Sequence, residues 1–457
     1  MTLCIHFIFP RWPKRTLWGH FRYKFPALGL LNLAALTPPE FEVTFTDENV
    51  EPPNEPSRFL SSLFNRGRNS RIEDVKLAGE NLANRADLIG ISVMTPLAPR
   101  AYELADHFRA AGKTVVLGGI HPSFLPEEAL QHADAILIGE GERMWPLLLA
   151  DYAAGRLQPR YQDVNPITPA TIPAARRDLL RPGSYLTRST IQWSRGCPHD
   201  CEYCSVTAIM GHRFRFRPID AFIEEFRSLR DRFVFIVDDN IVSQRSAATA
   251  LFSRMQDCGK WWGSQAPITI ADDTVLLKQM ARSGCKSLFI GFESLRNVSL
   301  QNVGKGFVDA RKNVDRINRI QDAGIGILGS FIVGLDEDDA GVFDGLYDFI
   351  QGNRLEAFLI SVLTPFPGTR LTRRLEAEGR ILSRDWACYD MNTVVYQPRH
   401  FRPDELQARF NELNHALYKV GPIVHRSLKF RKNTIIFLSQ NLAYREAWAK
   451  ILNAPPR

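Results

Sequence analysis

The sequence lacks any apolar run that approaches the ~20 residues a helix needs to cross a membrane. Its N-terminal stretch, MTLCIHFIF, also lacks the basic segment and the small-residue cleavage site of a secretory signal peptide. Outside one cluster the cysteines are few, and they lie in apolar or mixed surroundings typical of core thiols. These absences argue against a membrane-spanning or disulfide-stabilised protein, and we expect a cytoplasmic protein of a reducing compartment. The scattered cysteines are Cys4, Cys258, Cys285 and Cys388.

The chain also has few acidic residues in its last segment. Of the net charge of +7, most falls in residues 401–457, which contain ten Lys or Arg and only four Asp or Glu. A solvated helical surface is the simplest interpretation, and a peripheral contact with a membrane carrying anionic lipid is the alternative. No basic run is long enough to predict a nucleic acid partner.

The length and composition predict a globular protein of several domains. Hydrophobic residues make up 45% of the 457 residues and charged residues 23%, which is ordinary for a globular chain. Single cores stop growing at roughly 250–300 residues, so two or three domains are expected.

Three cysteines are clustered in Cys197-Pro-His-Asp-Cys201-Glu-Tyr-Cys204, directly after the strand-like run Ser189–Ser194. Thiolates this close in sequence can surround one metal centre, but three of them leave it one ligand short. An iron–sulfur cluster held by three cysteines keeps one iron open for chemistry. A zinc site completed by His199 or a distant residue is the main alternative, and three unrelated buried thiols are another.

Residues 1–150 alternate between apolar strands and helical stretches. This alternation predicts an α/β domain with a doubly wound, Rossmann-like parallel sheet. Helices are predicted at Ala27–Leu36 and around Arg100–Ala111, and residues 51–80 are predicted to form a loop or a short exposed helix. The predicted strands are Leu3–Phe9, Phe41–Thr46, Leu88–Val93, Lys113–Leu117 and Asp134–Ile138.

Two strand ends in this first domain carry residues that suit a ligand. Ser92 closes one strand, and Gly118 and Gly119 follow another. Ligands of doubly wound sheets bind at the carboxyl ends of the strands, and glycines there allow close approach, although they can simply serve a tight turn. The proline-rich residues 151–186 are predicted to form a linker to the next domain.

Residues 187–395 repeat the strand–helix alternation six times, which predicts a partial (β/α)6 TIM barrel. The cysteine loop and several polar motifs fall at the carboxyl ends of its strands, where barrel enzymes place their active sites. Residues 396–457 are predicted to form a small helical C-terminal extension. The six predicted strands are Ser189–Ser194, Phe233–Val237, Ile268–Ile270, Ser287–Phe292, Gly326–Val333 and Phe358–Leu363.

The cysteine motif after a strand, followed in order by these strand-end motifs, resembles the radical S-adenosylmethionine (radical SAM) superfamily. The preceding α/β domain with its double glycine resembles the cobalamin-binding domain of the B12-binding subgroup, and the two resemblances cover about residues 3–395. The resemblance implies that Cys197, Cys201 and Cys204 ligate three irons of a [4Fe-4S] cluster whose fourth iron chelates SAM. It places Tyr203 beside the adenine, with ordinary loop packing as the alternative.

The resemblance also implies SAM contacts at later strand ends. Asp238, Asp239 and Asn240 would receive the SAM amino group, because carboxylate and amide oxygens accept hydrogen bonds from an ammonium group. Capping of the next helix is the alternative for these three residues. Glu293 and Ser294 would meet the ribose and methionine portions, although Ser294 could instead cap a helix.

Further along the barrel, the stretch Gly329–Leu335 resembles the strand that lays apolar surface and backbone against the adenine, with Ile332 and Gly334 as the contact residues. Arg195 and His199 are candidates for tuning the cluster potential, with ordinary surface roles as the alternative. Leu363–Thr369 resembles the end of the sixth strand in this subgroup.

The implied activity is reductive cleavage of SAM to a 5′-deoxyadenosyl radical that abstracts hydrogen from a substrate carbon. We expect cobalamin-dependent C-methylation of an unactivated carbon in a secondary-metabolite or lipid-like substrate, with a peptide as a further possibility. A flavodoxin or ferredoxin would supply electrons. The alternatives are a cobalamin-independent rearrangement or cyclisation and, in a different class, a metal-cluster or zinc sensor protein.

Cobalamin is the cofactor for which the sequence departs from the family pattern. Relatives that place a histidine on cobalt carry Asp-x-His-x-x-Gly after the first strand, and residues 10–20 lack it. Ser92, Gly118 and Gly119 match the other elements, although Met94 stands where leucine is usual. We therefore expect cobalamin to be bound without the axial histidine.

Overall fold

The computed structural model describes residues 3–21, 24–50, 83–163, 165–353, 355–427 and 434–452, with side chains from 437 onward in the last range. The stretch 51–80, predicted to be a loop or short helix, lies outside the described residues. The chain divides into two compact units. The first unit comprises Met1–Trp12, Tyr23–Ile167 and Thr171–Arg188, and the second comprises Pro13–Arg22, Thr168–Ala170 and Ser189–Arg457.

The first unit is built on a six-stranded sheet in which every strand pair is parallel. Its order, β2-β1-β3-β4-β5-β6, reverses between β1 and β3, which is the arrangement of a doubly wound fold and confirms the predicted class. The strands are β1 (Leu3–Phe9), β2 (Phe41–Asp47), β3 (Leu88–Ser92), β4 (Thr114–Gly118), β5 (Ala135–Ile138) and β6 (Arg160–Gln162).

The central strands of this sheet form because their residues are apolar on both faces. In β3 the residues from Leu88 to Ile91 are buried, as is expected of a parallel sheet covered on both sides. Phe7 packs against Trp145 with ring centroids 5.3 Å apart, and both belong to the core of the unit. Among the described residues, the helices of this unit include Leu28–Leu36, Ala98–Ala110, Ile120–Phe124, Pro126–Leu130 and Met144–Ala153.

Residues 151–186, predicted to be a linker, contribute to this sheet as well as leading out of the unit. Tyr161 in β6 pairs with Leu137 in β5 and is buried in the core of the first unit. Farther along, Leu180 is also buried. At Tyr161, this stretch therefore forms part of the core of the first unit.

The second unit contains a six-stranded, all-parallel sheet whose strands follow one another in chain order, as the predicted partial barrel requires. An antiparallel pair, Ser194–Arg195 (β8) and Arg215–Phe216 (β9), stands beside it. The barrel strands are β7 (Thr190–Ile191), β10 (Phe233–Ile236), β11 (Trp261–Gln265), β12 (Cys285–Glu293), β13 (Gly326–Val333) and β14 (Ala357–Val362). The helices from 189 to 377 are Ser205–Met210, Ile219–Ser228, Arg245–Met255, Thr274–Arg282, Asn297–Asn302, Asn313–Asp322, Gly341–Gly352 and Arg370–Ala377.

One predicted strand of the barrel was wrong. Ile268–Ile270 belongs to a 3-10 helix, Ile268–Asp272, and the strand at this point is β11. Pro267 has no N–H for a sheet ladder, and the turn after it closes with Ile270 N donating to its carbonyl at 3.1 Å. Trp262 supplies the burial in β11, since its side chain is fully enclosed.

The first predicted barrel strand, Ser189–Ser194, is split between β7 and β8. The carboxylate of Asp238 accepts the N–H groups of Trp193 at 2.7 Å and Ser194 at 2.8 Å. These donors are thereby satisfied by a side chain, and the large sheet keeps only Thr190 and Ile191 of this run.

The C-terminal extension is helical, as predicted, but its basic residues do not all lie on a solvated surface. Arg426 is fully buried and donates to Leu417 O at 3.0 Å and to Asn441 Oδ1 at 2.8 Å. Of the ten Lys or Arg in residues 401–457, four lie outside the described ranges. Within those ranges, every helix is too short or too polar to cross a lipid bilayer. The helices are Pro403–Leu417, Val420–Ser427 and Thr434–Leu452, and Leu17–His20 belongs to the same unit.

A buried histidine in the first unit predicts sensitivity to acid. His6 in β1 is fully buried, with Nδ1 2.7 Å from Thr44 Oγ1, and burial lowers the pKa of His6 from 6.5 to about 4. Between these values the unfolded chain binds a proton that the folded chain does not. Stability is therefore lost as the pH falls through this window, by on the order of 3 kcal/mol.

We expect His6→Gln, which cannot titrate, to reduce this loss. Urea midpoints of the full chain measured at about pH 7.5 and about pH 5 should fall less in the variant than in the wild type. An equal fall in both proteins would show that His6 does not carry the acid sensitivity.

Candidate active site

The predicted site residues of the barrel lie at the carboxyl ends of its parallel strands. Asp238, Asp239 and Asn240 follow β10, Glu293 closes β12, and Gly334 follows β13. The cysteine loop leaves β8 and ends where the helix Ser205–Met210 begins. Because the strands are parallel, these segments emerge at the same edge of the sheet.

The three cysteines lie close enough to influence one another electrostatically, and all are partly buried free thiols. Burial raises the pKa of each, that of Cys204 to about 11, while the Lys305 ammonium lowers the pKa of Cys197 and Cys201. Across the described ranges, no three His, Cys, Asp or Glu side chains gather closely enough to hold a single metal ion.

Lys305 is a site residue that sequence reasoning missed. Its Nζ donates to Glu293 Oε1 at 2.6 Å and to Gly291 O at 2.8 Å, and both charged side chains are 10% exposed. A Cβ on Gly291 would lie 2.2 Å from Glu293 Oε1, so a larger residue there would displace the charged ends of this ion pair. The available signal was Lys305 itself, a lysine between two glycines after a strand-end glutamate.

Glu293 is held in an unusual backbone conformation. Its φ is +61°, and the pairing of β12 with β13 shifts register between Gly291 and Glu293. Such irregularities turn a side chain away from the regular strand direction and are common beside functional sites. The carboxylate also receives a hydrogen bond from Tyr203, whose pKa is raised well above its usual value by burial and by this carboxylate. Glu293 therefore links the cysteine loop to Lys305.

The three polar residues after β10 have different surroundings. Asp238 is fully buried. Its carboxylate accepts hydrogen bonds from the backbone N–H groups of Trp193 and Ser194 and, at 2.6 Å, from Ser194 Oγ. Burial raises the pKa of Asp238 to about 7 and that of Asp239 to about 6. Asp239 lies near Cys197 and Cys204, whose pKa values its charge raises.

Helix capping does not explain these residues. The helix after β10 begins at Arg245, with Gln244 at its N-cap. Asn240 Oδ1 accepts Val242 N at 3.3 Å in the intervening turn. Ser294 likewise accepts Arg296 N at 3.1 Å, one turn before the helix Asn297–Asn302 whose N-cap position is occupied by Arg296.

The backbone after β13 is shaped by a buried carboxylate. Asp338 accepts the N–H groups of Gly334 and Leu335, each at 3.0 Å, and Tyr396 Oη donates to Gly334 O. Gly334 has φ +88°, and a Cβ there would approach Leu406 within 2.8 Å. Ile332, one of the two predicted contact residues, is partly buried in β13.

The two residues predicted to tune the cluster are both fixed in place. Arg195 is buried, and its Nε donates to Gln192 Oε1 at 2.8 Å. Its charge lowers the pKa of Asp239 against the larger effect of burial. The His199 ring stacks on Phe307 with centroids 3.9 Å apart.

In the first unit, Ser92 and the two glycines meet at the ends of β3 and β4. Val93 N donates to Gly118 O at 2.8 Å, and a Cβ on Gly119 would lie 2.9 Å from Val93 O. Gly119 also has φ +103°, so its position requires glycine for backbone reasons alone. Met94, which follows β3, is 40% exposed, so an apolar side chain faces solvent near the carboxyl end of this strand.

Residues after β1 form a small structured turn. Thr16 accepts Gly19 N at 3.0 Å, and Phe21 stacks on Tyr444 with ring centroids 4.4 Å apart. This segment thereby packs against the helix Thr434–Leu452 of the second unit.

Comparisons with known proteins identify the family. The model described as B12 binding domain matches residues 14–149, and the model described as Radical SAM superfamily matches residues 191–350. The chain is 32% identical over 351 residues to bacteriochlorophyllide d C-12(1)-methyltransferase of Chlorobaculum tepidum, which covers 74% of this chain and 76% of the relative. The chain belongs to the B12-binding radical SAM enzymes.

Two further comparisons extend over nearly the whole of this radical SAM enzyme. Bacteriochlorophyllide d C-8(2)-methyltransferase of Chlorobaculum tepidum is 27% identical over 448 residues, which is 94% of this chain and 92% of the relative. The solved structure of the radical SAM methyltransferase TsrM from Kitasatospora setae matches with a TM-score of 0.67 at 14% identity. That match covers 98% of this chain and 99% of TsrM, and it supports the fold.

The cofactors of this family are a [4Fe-4S] cluster, SAM and cobalamin, and the residues present fit them. For the cluster, the donor set is three free thiols on one loop, close enough to influence one another electrostatically. For cobalamin, the carboxyl ends of β3 and β4 present glycines, which allow close approach, and the exposed apolar side chain of Met94.

Proposed function

We propose that this enzyme transfers a methyl group to an unactivated carbon of a tetrapyrrole in a cobalamin-dependent radical SAM reaction. The observation that carries the proposal is the gathering of three free cysteines with Tyr203, Glu293 and Lys305 at the carboxyl ends of the barrel strands.

The cysteine loop supplies the proposed ligands of the cluster, Cys197, Cys201 and Cys204. When bound, the cluster, SAM and cobalamin together supply one-electron reduction, hydrogen abstraction and a transferable methyl group. The chain's own residues bind these groups, orient them and exclude water. Lys305 places positive charge beside thiolates, which offsets part of the cost of holding several negative sulfur atoms in a partly buried site.

Proposed SAM contacts come from three strand ends. Asp239 and Asn240 offer oxygen acceptors for the amino group, while Asp238 supports them by holding the backbone at Trp193 and Ser194. Glu293 and Ser294 are the proposed contacts for the ribose and methionine portions. Ile332 and Gly334 form the proposed adenine platform, whose backbone Asp338 orders.

Ser92, Gly118 and Gly119 are the proposed cobalamin contacts in the first unit. They lie at the carboxyl ends of β3 and β4, and the strand order reverses beside β3, where doubly wound folds bind ligands. Residues 10–20 offer no Asp-x-His-x-x-Gly pattern and form a structured turn instead, which favours cobalt without a histidine from this loop.

The substrate class follows from the relatives, two of which are named as methyltransferases of bacteriochlorophyllide d, a tetrapyrrole. A flavodoxin or ferredoxin is the proposed electron donor. We also propose a peripheral contact between lipid and the basic C-terminal residues. Arg426 is buried, so its charge does not contribute to this contact.

An anaerobic assay tests the function. The reconstituted full chain is incubated with deuterated-methyl SAM and a strong reductant, with and without cobalamin, and with a chlorophyllide or a polycyclic lipid as substrate. We expect labelled methyl on the tetrapyrrole only when cobalamin is present. Labelled lipid alone would overturn the substrate class, and substrate conversion without methyl gain would support a rearrangement or cyclisation instead.

A further inference from the structure

The cysteine loop is held by backbone hydrogen bonds to two other segments of the second unit. Glu202, between the second and third cysteines, donates its N–H to Val303 O at 2.9 Å and accepts Leu371 N at 3.0 Å. Val303 follows the helix after β12, whereas Leu371 is the second residue of the helix Arg370–Ala377 after β14. The loop is therefore held by elements distant in sequence as well as by its own turn, in which Cys204 N donates to Cys201 O at 3.1 Å.

The side chain of Glu202 is held as firmly as its backbone. Arg374 donates to both oxygens of this carboxylate, through Nε at 2.6 Å and through Nη2 at 3.1 Å. The third nitrogen of the same guanidinium, Nη1, donates to Asp336 Oδ2 at 2.7 Å. One arginine thus joins the cysteine loop to the loop after β13, which carries Gly334 and Asp338.

This network is mostly shielded from solvent, so it can influence the geometry of the loop more than a surface ion pair would. The side chains of Glu202 and Asp336 are 13% and 12% exposed. Burial alone would raise the pKa of Asp336, but Arg380 and Arg374 hold the pKa of its carboxyl below the usual value. A second arginine, Arg370, donates to Asp200 O at 2.5 Å.

We infer that Arg374 is a positioning residue for the cluster, since it ties the cysteine loop to the SAM-facing loop after β13 through Glu202 and Asp336. The inference rests on the proposed ligation by the three cysteines. It assigns a function to the helix Arg370–Ala377, whose N-cap Thr369 accepts Thr372 N at 3.2 Å and so fixes where Arg374 emerges. Thr369 closes the Leu363–Thr369 motif, which thereby serves the cluster indirectly.

Arg373 provides a matched control, because it lies on the same helix, is exposed and donates to Gly368 O at 3.1 Å. Full-length Arg374→Gln, Arg374→Lys and Arg373→Gln proteins are compared by hydrogen exchange of residues 197–205, before and after cluster reconstitution. We expect exchange in Arg374→Gln to be at least about tenfold faster, as loss of a charged, bidentate hydrogen bond implies. Arg373→Gln should match the wild type, and Arg374→Lys should fall between them.

A second measurement distinguishes a positioning role of Arg374 from a general loss of stability. The electron paramagnetic resonance spectrum of the reduced cluster should change on addition of SAM in the wild type, and this change should be weakened in Arg374→Gln. Glu202→Gln should reproduce the effect, and the double variant should add nothing further. If Arg374→Gln exchanges and responds to SAM as Arg373→Gln does, the inference is overturned. Retention of iron by a variant lacking the three cysteines would instead overturn the proposed ligation.

Discussion

Cys201→Ala is expected to abolish iron–sulfur cluster assembly and with it all SAM cleavage. Cys201 is one of three free thiols on one loop, which lie close enough to influence one another electrostatically. Two thiolates cannot retain a four-iron cluster that already has an open iron. The expected result is a protein with little iron and sulfide and no formation of 5′-deoxyadenosine.

Anaerobic purification followed by iron and sulfide analysis and a product assay checks this result. Cys258→Ala serves as the control, because Cys258 lies in a short 3-10 helix, Gln256–Cys258, outside the site. It should keep full iron content and activity. Formation of 5′-deoxyadenosine by Cys201→Ala at the wild-type rate would place the cluster elsewhere.

Lys305→Met is expected to lower the free energy of unfolding strongly and to weaken SAM binding. It removes one partner of a buried ion pair and leaves the Glu293 carboxylate with only the Tyr203 hydroxyl as a hydrogen-bonding partner shown in the site. Breaking such a pair from one side costs about 3–5 kcal/mol. Removal of the ammonium also takes away the charge that lowers the pKa of Cys197 and Cys201.

The urea midpoint of the full chain and the affinity for SAM are the measurements. In the double variant Glu293→Gln, Lys305→Met no buried charge is left alone, so most of the lost stability should return. SAM affinity should stay low in both variants. A single variant as stable as the wild type would mean that the Lys305–Glu293 pair is hydrated and not part of a closed site.

Much of the fold was predictable because buried parallel strands leave a strong local pattern. β3 and β13 were placed within one residue at each end, since continuous apolar runs mark strands covered on both faces. The error at Ile268–Ile270 arose because a short apolar run has no length with which to separate a strand from a buried turn. The division of Ser189–Ser194 depended on a carboxylate at Asp238, which is 45 positions from Trp193.

The site shows the same contrast. Its cysteines, acids and strand-end glycines were recognisable from their spacing and from their position after strands. The pair formed by Glu293 and Lys305 was not, because a lysine 12 positions away gives no sign of which way it turns. The register shift at Gly291 and the left-handed backbone of Glu293 bring the two charges together, and both depend on neighbouring strands.

The amino-acid sequence by itself determined the strand–helix alternation, the cysteine spacing that leaves a metal centre one ligand short, and the absence of the axial-histidine pattern. These are local properties, carried by consecutive residues. Only the tertiary structure decided which side chains support the site. Arg374 reaches Glu202 across 172 positions, and that contact exists because sequential parallel strands bring the sixth strand end beside the cysteine loop. The open iron can thus be inferred from three cysteines, whereas the residues that hold the cysteine loop in place come from the fold.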